Sequence, residues 1–339
     1  ARILAVLVMA TPCPLLLATP IALLGGVNSA LKKQIIIKNV AGLEILDRAD
    51  TLVFDKTGTI TLGSPKITAI KVHDHRYSQR DVLARARALE QNSLHPFAQA
   101  VIAQADTAHA PLLSATHARE QPGTGISGHI DGKLYAISKA AMSETMAADL
   151  YEGKHKIATF SFEDVVKPGT RQTIKELHER AYSIFLCTGD TAAAAVRTAS
   201  SLGGSITVKA NFSPADKQAL IQDLKQQKRT VIMVGDGIND APALAQADLG
   251  MVFSHSEQTA ASEAADVVFL GGNIDAVAQS ILIAKRTISI AKTSIIVGMV
   301  LSALGMIMAA YGYIPPLIGA LLQEGIDILV ILYALRAVR

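Results

Sequence analysis

Charge is what this chain lacks over two long stretches. Between Ile3 and Val27 the only ionisable side chain is Cys13, and between Thr293 and Gln323 there is no Asp, Glu, Lys, Arg or His. A helical span needs about 20 apolar residues, so the first run is expected to cross a bilayer once. The second, extended through Leu335, is long enough to cross twice. Such runs exclude a purely soluble enzyme, and a composition that is 50% hydrophobic excludes disorder. Cysteine is scarce too. Only Cys13 and Cys187 are present, one in an apolar run and one in mixed sequence, which excludes a disulfide scaffold. Excess charge of either sign is missing: a net of +3 over 339 residues argues for no nucleic-acid partner. No internal repeat or low-complexity linker occurs. Ala rather than Met stands first, and the chain is expected to be a piece of a longer polypeptide whose N-terminal part is missing.

What charge there is clusters beside the apolar runs. Lys32, Lys33 and Lys38 follow the first, Lys285, Arg286 and Lys292 precede the second, and Arg336 and Arg339 close the chain. The positive-inside rule places all three groups on the cytoplasmic side. The expectation is a multi-pass protein of a plasma or inner membrane, with its middle region in the cytoplasm and the Tyr311–Pro316 turn on the far side of the lipid bilayer.

The middle alternates strand-like and helix-like stretches. Short β-rich runs at Thr51–Phe54, Ser183–Cys187, Thr230–Val234 and Val267–Leu270 enclose helical patterns at Gly169–Arg180, Thr191–Leu202 and Ala215–Gln227. That alternation predicts an α/β fold with a parallel sheet covered on both faces. Between Ser64 and Ala158 the pattern changes to short alternating runs, with a hairpin at Gly128–Tyr135, and predicts an inserted domain.

Four motifs fall where such a sheet binds ligands, beyond the carboxyl ends of its strands. Asp55-Lys56-Thr57-Gly58-Thr59 follows the first strand, and its carboxylate can attack a phosphoryl group. Thr188-Gly189-Asp190 ends a second strand, offering a hydroxyl and a glycine amide. Lys217 opens a helix after Ser213-Pro214, a cation to offset phosphoryl charge. Gly235-Asp236-Gly237-Ile238-Asn239-Asp240 ends a further strand, and Asp236 with Asp55 suits Mg²⁺, which prefers carboxylate and phosphate oxygens.

This order of motifs resembles the P-type ATPases, and the intramembrane Thr11-Pro12-Cys13-Pro14 resembles the Cys-Pro motif of their heavy-metal-transporting branch. The resemblance implies a haloacid-dehalogenase-like, Rossmann-type phosphorylation domain (49–63 and 159–285) carrying an inserted α+β nucleotide-binding domain (64–158). A transmembrane helix with a cytoplasmic stalk (1–48) precedes them, and a stalk with two transmembrane helices (286–339) follows. It implies that Asp55 is phosphorylated from ATP, and that Asp236 and the backbone of Thr57 bind Mg²⁺. Thr188, Lys217 and Asn239 would contact the phosphoryl group, Asp240 would organise their loop, and Lys56, Gly189 and Asp190 would complete the catalytic set. In the insertion it implies a nucleotide site at Glu90, His95, Pro96, Gly123 and Gly125, where an imidazole stacks on adenine and glycines let the backbone approach. Leu94 and the pair Ser138-Lys139 depart from the branch's usual Glu and Gly-Asn.

Pro12, Pro14 and Pro20 lie inside the first apolar run, where each removes a helical hydrogen bond. The helix is expected to open there and present Cys13 as in other broken transporter helices. In the last span Glu324 and Asp327 are expected on one helical face, and a carboxylate near the bilayer centre costs about 2.5–3.5 kcal/mol on insertion scales. Cys13, Asp327 and, toward the exit path, Glu324 are therefore the expected ligands of a transported transition-metal ion. One thiolate with carboxylates suits a borderline divalent cation better than Cu⁺. Cu⁺ transport, a membrane-anchored phosphatase without transport and a pump for other ions remain alternatives. No Thr-Gly-Glu sequence, which that family uses to position the hydrolytic water, occurs in the chain.

Overall fold

The computed structural model describes residues 2–11, 13–93, 95–121, 124–140, 146–236, 240–254 and 260–338. In chain order the elements are α1 (Arg2–Met9), α2 (Cys13–Leu31), β1 (Ile35–Ile37), α3 (Ala41–Arg48), β2 (Thr51–Asp55), β3 (Thr61–Val72), α4 (Gln79–Glu90) and α5 (Pro96–Thr107). Next come β4 (Thr116–Gln121), β5 (Gly125–Ile130), β6 (Lys133–Lys139), β7 (Met146–Glu152), β8 (His155–Val166), α6 (Thr170–Glu179), β9 (Ser183–Cys187), α7 (Ala192–Leu202) and β10 (Ile206–Lys209). The last are α8 (Pro214–Gln226), β11 (Val231–Gly235), α9 (Ala241–Gln246), β12 (Leu249–Ser254), α10 (Ala260–Ala264), β13 (Val267–Leu270), α11 (Asp275–Tyr311) and α12 (Pro316–Ala334). Two compact units result. One comprises Ala1–Val53, Gln172–Ile184 and Pro214–Arg339, the other Phe54–Arg171 and Phe185–Ser213.

The first unit holds the apolar helices and most of a seven-stranded sheet ordered β1-β13-β12-β11-β2-β9-β10. β11, β12 and β13 run parallel, and β1 closes the edge antiparallel, Ile35 opposite Phe269. The N–H groups of Asp50 and Thr51 donate to the carbonyl of Thr230, and the N–H of Ser183 to the carbonyl of Asp50. β11, β2 and β9 therefore start level and run the same way, which brings their carboxyl ends to one edge. β2 and β11 are buried along their whole length, as expected of parallel strands covered on both faces.

Among the described residues three segments are long and apolar enough to cross a membrane: Arg2–Leu31, Asp275–Tyr311 and Pro316–Val338. The first is interrupted, α1 ending at Met9 and α2 starting at Cys13, as the proline spacing predicts. Pro14 then falls in the first turn of α2, where no helical N–H is needed. Pro20 corrects the expectation: it lies inside a helix that runs on to Leu31 without a break. Small residues let these helices approach closely. A Cβ on Gly298 would lie 2.4 Å from the Pro14 ring, and one on Gly305 would lie 2.1 Å from the Met9 methyl.

In the second unit a six-stranded antiparallel sheet, β3-β8-β7-β6-β5-β4, packs α4 and α5 around a core that includes Leu83, Leu89, Val101, Ile137, Leu150 and Phe160. The expected hairpin is present. Asp131 and Gly132 join β5 to β6, both with positive φ (49° and 76°), the geometry that makes Asp-Gly a favoured two-residue turn. The outer boundaries expected from composition fall inside elements, because β3 begins at Thr61 and β8 continues to Val166, the two paired from Thr61 opposite Val166 to Val72 opposite Ala158 with two register shifts.

Candidate functional site

Asp55 is the last residue of β2 and is buried. The chain leaves it through Thr57 in extended geometry and Gly58 at φ 71°, a left-handed position that favours glycine. The hydroxyl of Thr61 donates to the carbonyl of Lys56 at 3.0 Å and closes this turn. Within the turn, the buried hydroxyl of Thr59 has no hydrogen-bond partner among the described residues. Lys56 is buried as well and pairs with Asp190. The Thr188 hydroxyl accepts from the N–H of Asp190 at 3.1 Å, so it is held at the end of β9 beside Gly189.

In the other unit Lys217, in the first turn of α8, donates to Asp240 at 2.7 Å, both side chains buried. Removing two opposite charges from water together is tolerable only because they pair, and deleting one would strand the other. Gly235 is required at the end of β11, since a Cβ there would lie 2.7 Å from an Asp240 carboxylate oxygen. Asp236 follows, and it and Asp240 bring carboxylate oxygens within 4.8 Å of each other. Asp55 ends the neighbouring strand. An all-oxygen donor set of this kind fits Mg²⁺. Asn239 lies outside the described residues.

The nucleotide-site residues come together in part. A cavity of about 430 Å³ in the second unit is lined by Glu90, His95, Phe97, Glu120, Gly125 and Phe162, among others. Glu90 ends α4 and His95 caps α5, its Nδ1 accepting from the N–H of Phe97 at 3.2 Å. That bond leaves Nε2 as the proton-bearing nitrogen of the neutral ring. The His95 ring meets Phe97 edge-on at 5.0 Å, and Phe97 stacks on Phe162 at 4.5 Å, giving the cavity an aromatic wall. Gly125 has φ 142°, and a Cβ on it would lie 1.9 Å from the Ile137 carbonyl, so no side chain fits. Pro96 departs from the expectation: it opens α5 and faces a separate groove on the far side of that helix, fixing φ for the first turn. Gly123 and Leu94 lie outside the described residues. Phe97, Phe162 and Glu120 went unassigned in the sequence; strand alternation carries the signal of Phe162 and Glu120 once register is known, whereas Phe97 is in the first turn of α5.

Burial pushes the Glu90 carboxyl up to about 7, with the negative charge of Glu120 adding and a Ser93 hydrogen bond opposing. Folded protein then holds this proton to about pH 7, whereas an unfolded chain releases it near 4.5. The folded state binds the extra proton in that window, so stability falls as pH rises through it. Glu90→Gln should therefore stabilise the nucleotide-free protein at pH 8, by at most about 3 kcal/mol, and far less at pH 5, read as a higher thermal transition. An equal effect at both pH values would contradict a proton held on Glu90.

Among the apolar helices the buried face of α12 carries Gly319, Gln323, Asp327, Val330 and Ala334. The Ser302 hydroxyl on α11 donates to the Gln323 amide oxygen at 3.2 Å, and the Gln323 amide nitrogen donates to Asp327 at 3.3 Å. Glu324 is exposed. The structure thus corrects the shared face of Glu324 and Asp327: the residue four before Asp327, not three, faces inward with it. Met299 and Met308 also point outward. The side chain of Cys13 and all of Pro12 lie outside the described part of the chain.

Comparison with known proteins agrees with this geometry. The family model for haloacid dehalogenase-like hydrolases matches residues 49–248, and the chain belongs to that family. Within it, the chain falls in the heavy-metal-transporting branch of the P-type ATPases. A copper-exporting P-type ATPase of Legionella pneumophila is 35% identical over 305 residues, covering 83% of this chain and 40% of that protein. A cadmium/zinc-transporting ATPase of Arabidopsis thaliana is 34% identical, covering 84% of this chain and 32% of its own length. The chain therefore spans well under half of these relatives. A crystal structure of a zinc-transporting PIB-type ATPase in the E2.Pi state superposes with a TM-score of 0.87 at 29% identity, covering 97% of this chain and 56% of that one. A catalytic CPx-ATPase domain matches with a TM-score of 0.66 at 30% identity, over 74% of this chain and 96% of the domain.

Proposed function

We propose that this chain is the C-terminal part of a pump that exports a transition-metal cation across a membrane, driven by ATP through an aspartyl phosphate. The observation that carries this reading is that one chain joins a strand-end nucleophile, Asp55 on β2, to a buried Ser302–Gln323–Asp327 relay in its apolar helices. A phosphatase needs the first and has no use for the second.

In the reaction a carboxylate oxygen of Asp55 attacks the γ-phosphorus of ATP, the bond to the bridging oxygen breaks, and ADP leaves with the electron pair. Water then hydrolyses the acyl phosphate and restores the carboxylate. Lys217, aimed by Asp240, offsets charge on the phosphoryl oxygens, while the Thr188 hydroxyl and Asn239 hold them. Asp55, Asp236 and the Thr57 carbonyl would hold Mg²⁺, which neutralises phosphate charge when bound. The nucleotide enters the cavity at Glu90, His95 and Gly125. The lysines and arginines flanking the spans support a cytoplasmic position for these catalytic parts. Phosphorylation would alter access to an ion held by Cys13 and Asp327. A thiolate with carboxylate and amide oxygens favours a divalent ion; the relatives named for copper and for cadmium or zinc keep both classes in play.

ATPase assays of the intact polypeptide with Zn²⁺, Co²⁺, Ni²⁺, Fe²⁺ and Cu⁺ test this directly. One or more divalent ions should stimulate turnover, with Cu⁺ weaker. Turnover indifferent to every metal would favour the phosphatase instead.

A further inference from the structure

The walls of the nucleotide cavity are acidic. Glu90, Glu120 and Asp190 all line it, and among the described lining residues Lys139 is the only cation. Strand register fixes where that lysine stands. Glu120 lies opposite Ile126 on β5, and Ile126 opposite Ile137 on β6. Side chains alternate along a strand, so Ile137 and Lys139 share the face that forms the cavity floor. Lys139 lies opposite Ala148, which lies opposite Phe160. It is the last residue of β6, two positions beyond the apolar floor, and its side chain is exposed. Lys56 pairs with Asp190, whereas Lys139 makes no ion pair or side-chain hydrogen bond with the described residues.

An apolar, aromatic floor receives a base, yet the exposed Glu120 carboxylate beside it repels the polyphosphate attached to that base, the buried Glu90 being protonated up to about pH 7 and Asp190 being paired with Lys56. One cation that makes no ion pair among the described residues, at the end of the floor, reverses this locally. We propose that Lys139 holds a phosphate of the bound nucleotide and so makes the cavity prefer a nucleotide to its nucleoside. The inference rests on the cavity being the nucleotide site. An ammonium is a compact point charge on a flexible stem, suited to an anion whose exact position varies at a solvent-exposed rim.

The test is calorimetric binding of ATP, ADP and adenosine to the whole chain in detergent, for the wild type, Lys139→Ala and Lys139→Arg. The alanine variant should bind ATP and ADP roughly three- to tenfold more weakly, with adenosine affinity unchanged. Arginine should restore most of the loss, and molar salt should narrow the difference. Equal ATP affinity in the wild type and Lys139→Ala, with adenosine still bound, would overturn the role of Lys139 and leave the nucleotide site standing. A parallel loss of adenosine binding would overturn it too, by showing that the lysine supports the fold. Failure of the wild type to bind any of the three probes would remove the nucleotide site and the inference together.

Discussion

Asp55→Asn should abolish acid-stable phosphorylation from γ-labelled ATP while leaving ATP affinity within about twofold of wild type. An amide lacks the anionic oxygen that attacks phosphorus, yet it has nearly the same shape at the buried end of β2. The cavity proposed to receive the base is built chiefly from α4, α5 and the six-stranded sheet, with Asp190 at its margin, and residue 55 does not line it. Binding and chemistry should therefore separate cleanly. Label retained by the asparagine variant would assign the nucleophile to another residue. Label and ATP affinity lost together would show that the substitution had damaged the fold.

Metal binding should show the second large effect. Cys13→Ser and Asp327→Ala are each expected to abolish stoichiometric divalent-metal binding by the intact protein in detergent, read by elemental analysis after desalting. Glu324→Gln should leave most of it, since that side chain is exposed while Gln323 and Asp327 are buried. Gln323→Ala should weaken binding without abolishing it, because the amide steadies the carboxylate from one side and takes the Ser302 hydroxyl on the other. Full binding by Asp327→Ala alongside loss in Cys13→Ser would point to a sulfur-based Cu⁺ site instead.

The parallel strands were legible because burial on both faces makes each a short, continuous β-rich run. Thr51–Phe54 and Thr230–Val234 were each found within one residue of an end, and Ser183–Cys187 and Val267–Leu270 coincide with β9 and β13. β12 was not legible. It contains Gly250, which reads as a break, but which packing demands: a Cβ there would lie 2.9 Å from the Leu244 carbonyl. β1 was hidden by its length of three residues, which only the pairing with β13 makes a strand. The strand-end motifs could be read because each lies within a few residues of its strand. The inward face of α12 could not. Helical spacing allows either Gln323 or Glu324 beside Asp327, and what decides is Ser302 on another helix.

Helix α11 runs unbroken for 37 residues, which at 1.5 Å per residue is about 55 Å. It begins a few residues after β13, and far along it Gly298 and Gly305 press directly on Pro14 and Met9, either side of the interruption between α1 and α2. The Gly298 contact is with a rigid proline ring, the Gly305 contact with the end of the Met9 side chain. A rod of this length that tilts by about five degrees at its sheet end moves by roughly 5 Å at the other. Backbone pressed against a proline ring has little room to absorb such a stroke, so a tilt of α11 would be delivered to the start of α2, where Cys13 stands.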